Sequence, residues 1–372
     1  MARRVLITGG AGFIGSHLAD ELLDAGYAVR VFDNCSPQVH GAVHGPPSYL
    51  HADVEFVRAD IQDGAALRRA LRGVDSVVHL AAMVGVGQSM YEVADYTAVN
   101  DLGTAVLTQA LLERPVGRLI VASSMSIYGE GRYRTGEGEI VDTAERSAGQ
   151  LRAGRWDPVD VQGASLEPVP TPEDKRPNLS SVYALNKYAQ ERLCLLIGHA
   201  YDLPTIALRF FNVYGTRQAL SNPYTGVLAI FASRLLNGNR PLLFEDGQQR
   251  RDFVHVRDVA RACRLALEAP PSVRGVFNVG SGESRTICEV FQELAATMEA
   301  PGGVAEITGR YRVGDVRHCF ADITRARTEL GFEPQIAFAD GLADFVAWLA
   351  EASAVDRVEE ATGELLRRGL VA

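Results

Sequence analysis

The sequence predicts an α/β fold, a doubly wound parallel sheet with a smaller mixed α/β lobe after it. Three observations carry this. A short apolar run, Val5-Leu6-Ile7, leads into the turn Thr8-Gly9-Gly10-Ala11-Gly12-Phe13-Ile14-Gly15-Ser16 and then into an apolar helical pattern. Strand-like runs alternate with helix-length amphipathic stretches through the first half, the mark of crossover connections. From about Tyr214 the pattern shortens and becomes mixed. The organisation expected is 1–213 for the sheet domain, 214–354 for a lobe whose strands interleave with it, and 355–372 as an exposed helical tail.

The first strand and its turn are the most informative element. One glycine serves the tight turn, one lets backbone approach a pyrophosphate, and one allows close helix-on-strand packing. The helix start then offers free N–H groups and a positive dipole end to phosphates. Gly9, Gly12, Phe13, Ile14 and Gly15 are therefore dinucleotide-site candidates. The second strand, Ala28–Asp33, ends in a carboxylate at the interval expected of a ribose ligand. Asp33 suits both adenosine ribose hydroxyls and repels a 2′-phosphate, which favours NAD over NADP.

Further strands are expected at Val54–Val57, Ser76–Leu80, Leu119–Ala122 and Thr205–Phe210, with the ligand crevice at their carboxyl ends. The strand Arg118–Ala122 runs into Ser123-Ser124-Met125-Ser126, which puts a hydroxyl at that edge. Residues 130–170 are rich in Gly, Arg and Glu with little apolar periodicity, and read as an inserted loop, either a lid or oligomer contact or a solvated excursion. Tyr183-Ala184-Leu185-Asn186-Lys187 lies in a helix that Ser180 or Ser181 can cap, so four-residue spacing places phenol and ammonium on one face. A nearby Lys⁺ and a cationic nicotinamide both favour a phenolate, which would make Tyr183 a general base near neutrality. In the lobe, strands are expected at Pro241–Phe244 and Asp252–Val256, with helices near Val259–Leu267, Ile287–Met298 and Leu342–Leu349.

Composition bounds the partners. The 372 residues carry a formal net charge of −9, against a general binder of nucleic acid or of membrane surfaces. The five cysteines are scattered and include no Cys-x-x-Cys pair, which suggests reduced thiols and no metal site. No signal-peptide pattern or membrane-length apolar run is present, so a cytoplasmic location is expected.

Taken in order, Thr8–Ser16, Asp33, Asp60-Ile61, His79-Leu80-Ala81-Ala82, Asn100, Ser124, Tyr183 with Lys187, Arg209–Gly215 and Arg251–Val256 resemble the extended short-chain dehydrogenase/reductases, specifically the NAD-dependent nucleotide-sugar epimerase/dehydratase family. The resemblance runs from about residue 3 to 350 and implies a Rossmann domain holding NAD and a lobe holding a nucleoside-diphosphate sugar. It implies that Asp60 and Ile61 flank the adenine and that Lys187 bonds the nicotinamide ribose. Asn34, Leu80, Ala81, Ala82 and Asn100 would be further cofactor positions. Ser124 and Ser126 would meet the sugar, Asn212 and Arg251 the diphosphate, and Arg312 and Asp315 would close over the diphosphate and nucleoside. A homodimer through the helices containing Asn100–Leu112 and Tyr183–Ile197 is also implied.

The reaction implied is 4-epimerisation: Tyr183 removes the 4-hydroxyl proton, a 4-keto sugar forms and turns over, and hydride returns to its other face. Family dehydratases carry an acid–base pair, usually Asp-Glu, where this chain has Met125 and Ser126, so 4,6-dehydration is disfavoured. The Arg-Pro-Asp-Met-like run of uronate-acting relatives is replaced here by Gly215–Tyr224. Arg217–Pro223 and Leu243–Gly247 look more like dTDP-6-deoxyhexose 4-epimerases, although Thr216 stands where a proline is common. The alternatives are a UDP-hexose or UDP-uronate 4-epimerase, a decarboxylase, a 4-ketoreductase, or a nonenzymatic NAD-binding sensor.

Overall fold

A computed structural model describes residues 2–41, 45–224, 226–300, 304–352 and 354–372. Its centre is a seven-stranded, wholly parallel sheet of β1 (Arg4–Thr8), β2 (Ala28–Asp33), β3 (Glu55–Arg58), β4 (Ser76–His79), β5 (Arg118–Ser124), β6 (Thr205–Phe210) and β7 (Gly275–Val279). The strand order is β3-β2-β1-β4-β5-β6-β7. The order reverses between β1 and β4, and a crevice opens at the carboxyl ends at such a switch point. Because β7 follows the lobe's first elements, the chain returns to the sheet after leaving it.

Both sheet faces are buried, as near-continuous apolar strands require. Along β1, Val5 and Ile7 join Leu18, Leu22, Val259 and Cys263 on one side, under helices Phe13–Asp24 and Val256–Glu268. Leu6 joins Leu67, Leu107, Leu111 and Cys194 on the other. A separate core built on Tyr214, Phe231, Leu243, Phe291, Leu342 and Phe345 holds the lobe together.

The inserted stretch is not structureless. Arg132–Arg134, Ile140–Val141 and Glu167–Val169 form a three-stranded antiparallel sheet, and Ala148–Arg152 a helical turn capped by Ser147. Strands this short carry too few alternating positions to show a period. The tail forms the helix Val358–Arg367 expected, but Ala361, Thr362 and Leu365 are buried. Beyond it, Val371 bridges to Arg312, and the Tyr311 and Val313 amides donate to the Ala372 and Leu370 carbonyls at 2.9 and 3.0 Å. The cysteines are free thiols, and no helix among the described residues is long and apolar enough to cross a membrane.

Candidate active site

The carboxyl ends of β1, β2, β4, β5 and β6 open into a cleft of about 490 Å³. At one end the glycine turn supplies a cradle. Gly9 sits at φ +68°, and a Cβ there would lie 2.7 Å from the Ala81 nitrogen. Gly15 packs directly on the Gly9 carbonyl. Gly12 opens the helix Phe13–Asp24 without any side-chain cap, so its first-turn N–H groups face an anion site. Asp33 lines the cleft; its two oxygens accept from the Ala11 and Cys35 amides at 3.1 and 2.8 Å, fixing the carboxylate at the tip of β2. This arrangement fits a dinucleotide: a pyrophosphate on bare backbone and a ribose at a fixed carboxylate. Asp33, Cys35 and His40 are also the one metal-ligand-like group among the described residues, and they sit at this same adenosine end.

At the other end Ser124 closes β5. Its Oγ accepts from the Ser126 amide at 3.2 Å and shares a 2.9 Å hydrogen bond with the Ser126 hydroxyl. Ser181 caps the helix Val182–Ala200 by accepting from the Ala184 amide, which sets the first turn on which Tyr183 projects. Tyr183 and Lys187 both line the cleft. Burial pushes the Tyr183 phenol up to about 12, and its hydrogen bond with Ser124 pulls the other way. Burial draws Lys187 down to about 8, and its Nζ donates to the Ala122 carbonyl at 3.1 Å. The lowered phenol expected from the spacing is not what the protein by itself shows: desolvation raises the phenol, and the group that opposes it is Ser124 rather than Lys187.

Two buried polar networks brace this geometry from behind. The Arg209 fork donates to both oxygens of Glu191 at 2.9 and 2.7 Å, and Ser123 Oγ donates to Glu191 at 2.6 Å, which holds the end of β5 to the tyrosine helix. His79 lies between the Thr8 and Thr104 hydroxyls, at 2.7 and 2.9 Å, and burial draws it down to about 3, so it stays neutral.

Gly9, Gly12, Phe13, Ile14, Gly15, Asp33, Asn34, Ile61, Leu80, Ala81, Ala82, Ser124, Tyr183, Lys187 and Asn212 share the cleft wall; Asp60, Asn100, Ser126, Arg251, Arg312 and Asp315 do not. Asp60 is held by Asn34 and Gln62. Asn100 pairs with both backbone groups of Met83 and so shapes the loop after β4. Arg251 donates to the Val316, Arg317 and Arg250 carbonyls and lies 3.5 Å from Asp315. Arg312 stacks 4.1 Å over Phe244, and its Nε has no partner. On the wall itself, Asn212 Oδ1 is likewise buried and unpaired, a group aimed at something the protein alone does not provide.

Sequence reasoning missed Gln88, Tyr96 and Tyr224 on the wall. Tyr96 is fully buried and donates to Gln88 Oε1 at 3.1 Å, and the Tyr224 and Tyr91 hydroxyls share a hydrogen bond. Their signal was faint: Gln88 and Tyr96 lie in the short helices Val86–Ser89 and Val93–Thr97 and Tyr224 in a loop, away from any strand end and placed by packing.

Residues 5–148 and 160–280 match the NAD dependent epimerase/dehydratase family. A dTDP-L-rhamnose 4-epimerase of Burkholderia thailandensis is 35% identical over 94% of this chain and 95% of its own. Among solved structures, the UDP-glucose 4-epimerase of Thermotoga maritima, in complex with UDP-glucose, superposes with a TM-score of 0.75 at 31% identity, over 94% of this chain and 99% of that one. The UDP-glucose 4-epimerase of Thermus thermophilus in complex with NAD gives 0.73 at 32%, over 94% and 100%.

Proposed function

The chain belongs to the NAD-dependent epimerase/dehydratase family, NAD-using enzymes of nucleotide sugars, and from that premise we propose that it is a 4-epimerase acting on a dTDP-6-deoxyhexose. The observation that carries the reading is the meeting of Ser124, Tyr183 and Lys187 with the glycine cradle and Asp33 on one cleft.

NAD⁺, when bound, accepts a hydride from C4 and returns it. The protein's own part is to bind, orient and move a proton. Gly9, Gly12 and the helix start take the pyrophosphate and Asp33 the adenosine ribose. Lys187, buried beside Tyr183, would hold the nicotinamide ribose, and Ser124 and Tyr183 would share the sugar's 4-oxygen. Tyr183 accepts the hydroxyl proton as C4 becomes a ketone and donates it back after the sugar has presented its other face. Holding the diphosphate firmly and the sugar loosely is what inversion requires, and positioning supplies much of the acceleration.

The 6-deoxyhexose rests on the resemblance of Arg217–Pro223 and Leu243–Gly247, and two features count against dehydration and against a uronate. Met125 and Ser126 offer no carboxylate pair for dehydration. The described cleft wall bears no arginine; of its basic groups His40 lies at the adenosine end and Lys187 beside Tyr183, while Met83, Val84, Gln88, Tyr96, Phe211, Gln218, Asn222 and Tyr224 are among the uncharged residues that line the rest. A uronate carboxylate there would be desolvated without a cationic partner from the described wall beyond Lys187, which counts against it. Leu102 and Leu112 on one helix, with Leu185 and Leu196 on the tyrosine helix, are exposed, and we assign them to a homodimer seam.

The test is to offer the purified protein, without added cofactor, a panel of dTDP- and UDP-sugars including dTDP-L-rhamnose, and to follow the H-3/H-4 couplings by proton NMR. Conversion of a dTDP-6-deoxyhexose to its C4 epimer is expected, from a sample that light scattering sizes as a dimer. Exclusive turnover of a UDP-hexose would replace the substrate assignment, and no turnover with NAD supplied would remove the epimerase reading.

A further inference from the structure

Midway along, the insertion carries a side chain that a solvated excursion would leave in water. Arg146 has only 4% of its side chain exposed, and its three nitrogens are engaged with three different segments, the insertion's own first residue and two loops of the lobe. Nε donates to Glu130 at 2.9 Å, Nη1 to Glu245 at 2.5 Å, and Nη2 to the Asp315 carbonyl at 2.8 Å. Glu245 is 2% exposed and sits at φ +53°, a left-handed conformation that a non-glycine residue adopts at a cost. Its other oxygen accepts from Arg317, which also binds Asp246 and the insertion's Asp157. Glu130 accepts in turn from the Arg317 amide at 2.8 Å.

These anchors flank the groups assigned above to the nucleotide. Phe244, the ring under Arg312, immediately precedes Glu245, and Asp315, the partner of Arg251, supplies the carbonyl that Arg146 holds. The Trp156 ring of the insertion lies 6.4 Å from that of Tyr311, next to Arg312. A planar fork with fixed donor directions can set three chain segments relative to one another, which a lysine point charge cannot.

We propose that the insertion is a built-in brace for the nucleotide half of the substrate site, and that Arg146 is its positioning residue, fixing Phe244, Arg312 and the Arg251–Asp315 pair in the register that receives a nucleoside diphosphate. The proposal rests on the nucleotide-sugar reading. Through this brace the insertion sets affinity for the nucleotide handle without touching the chemistry at C4.

The test uses the full-length protein with its NAD, and titrates dTDP and UDP by calorimetry alongside steady-state kinetics. Arg146→Met alone leaves the buried Glu245 with Arg317 as its one remaining cationic partner among the described residues, so Arg146→Met with Glu245→Gln is the main variant and Arg146→Lys the conservative one. Arg132→Met, which removes insertion ion pairs to Asp142 and Asp174 away from the Arg312 loop, is the structural control. The double variant is expected to weaken nucleoside-diphosphate binding and raise KM by roughly tenfold, with kcat within about twofold and NAD content unchanged, Arg146→Lys falling between and Arg132→Met matching wild type. Unchanged affinity in the double variant, a loss confined to kcat, or an equal loss in Arg132→Met would each overturn the brace. If the wild type itself binds neither diphosphate, the nucleotide-sugar reading falls, and the brace with it.

Discussion

Tyr183 shows how burial can oppose the role that spacing assigns. Its place one turn before Lys187 is legible in the sequence, because the chemistry demands those two side chains on one helix face. Its protonation is not legible, because it depends on how much water the finished cleft excludes. With the phenol raised to about 12 and the ammonium lowered to about 8, the base is idle until a positive charge is bound beside it. Tyr183→Phe should therefore lower kcat by on the order of 10²- to 10⁴-fold while protein-bound NAD, measured by its absorbance after denaturation, stays at the wild-type ratio. Near-normal turnover in that variant would reassign the base. Thr216, where a proline is common, has its hydroxyl and carbonyl 3.2 and 3.1 Å from His17 Nε2; the carbonyl contact is open to a proline too, and the hydroxyl is what threonine adds to this tie between the lobe's entry loop and the cofactor helix.

Among the elements, long apolar strands and capped helices followed from the sequence almost to the residue; Ala28–Asp33 and Thr205–Phe210 stand where expected. What did not follow was anything set by distant pairing. The insertion's small sheet and the Arg312–Val371 bridge join segments with no local period, and the six candidates off the cleft wall are motif residues whose side chains turn toward neighbouring loops. The tail's bridge makes a sharp prediction. In a chain truncated after Ala354, the Tyr311 and Val313 amides lose their Ala372 and Leu370 acceptors, and their hydrogen exchange should quicken by roughly tenfold or more while Val121 in the central strand keeps its rate. Equal protection in both chains would mean that the tail merely rests on the lobe.

Burial lowers five of the histidines, His17, His40, His79, His255 and His318, three of them most strongly. Burial draws His17 and His255 down to about 4 and His79 to about 3. The unfolded chain takes up protons near pH 6.5 and the folded chain does not, so the unfolded state binds more protons and stability falls as pH falls. His17 and His255 each cost about 3 kcal/mol by pH 4, and His79 a similar amount. Asp252 works in the other direction. Although it accepts from the Ser281 and Gly282 amides, burial raises its carboxyl to about 6, so the folded state holds that proton more tightly and gains as pH falls. Asp101, Glu173 and Glu245 are raised by burial too, but Asp60, Asp157 and Asp246 are held low, so their stabilisation is lost as pH falls together with that of the imidazoles. Thermal melts followed by circular dichroism should show Tm declining steadily from pH 6.5 to 4.5, with a shallower slope in His17→Gln, where one neutral ring no longer resists protonation. A flat Tm across that range would mean that these rings reach water before the fold is lost, and that the tie between the cofactor helix and the lobe is looser than its hydrogen bonds imply.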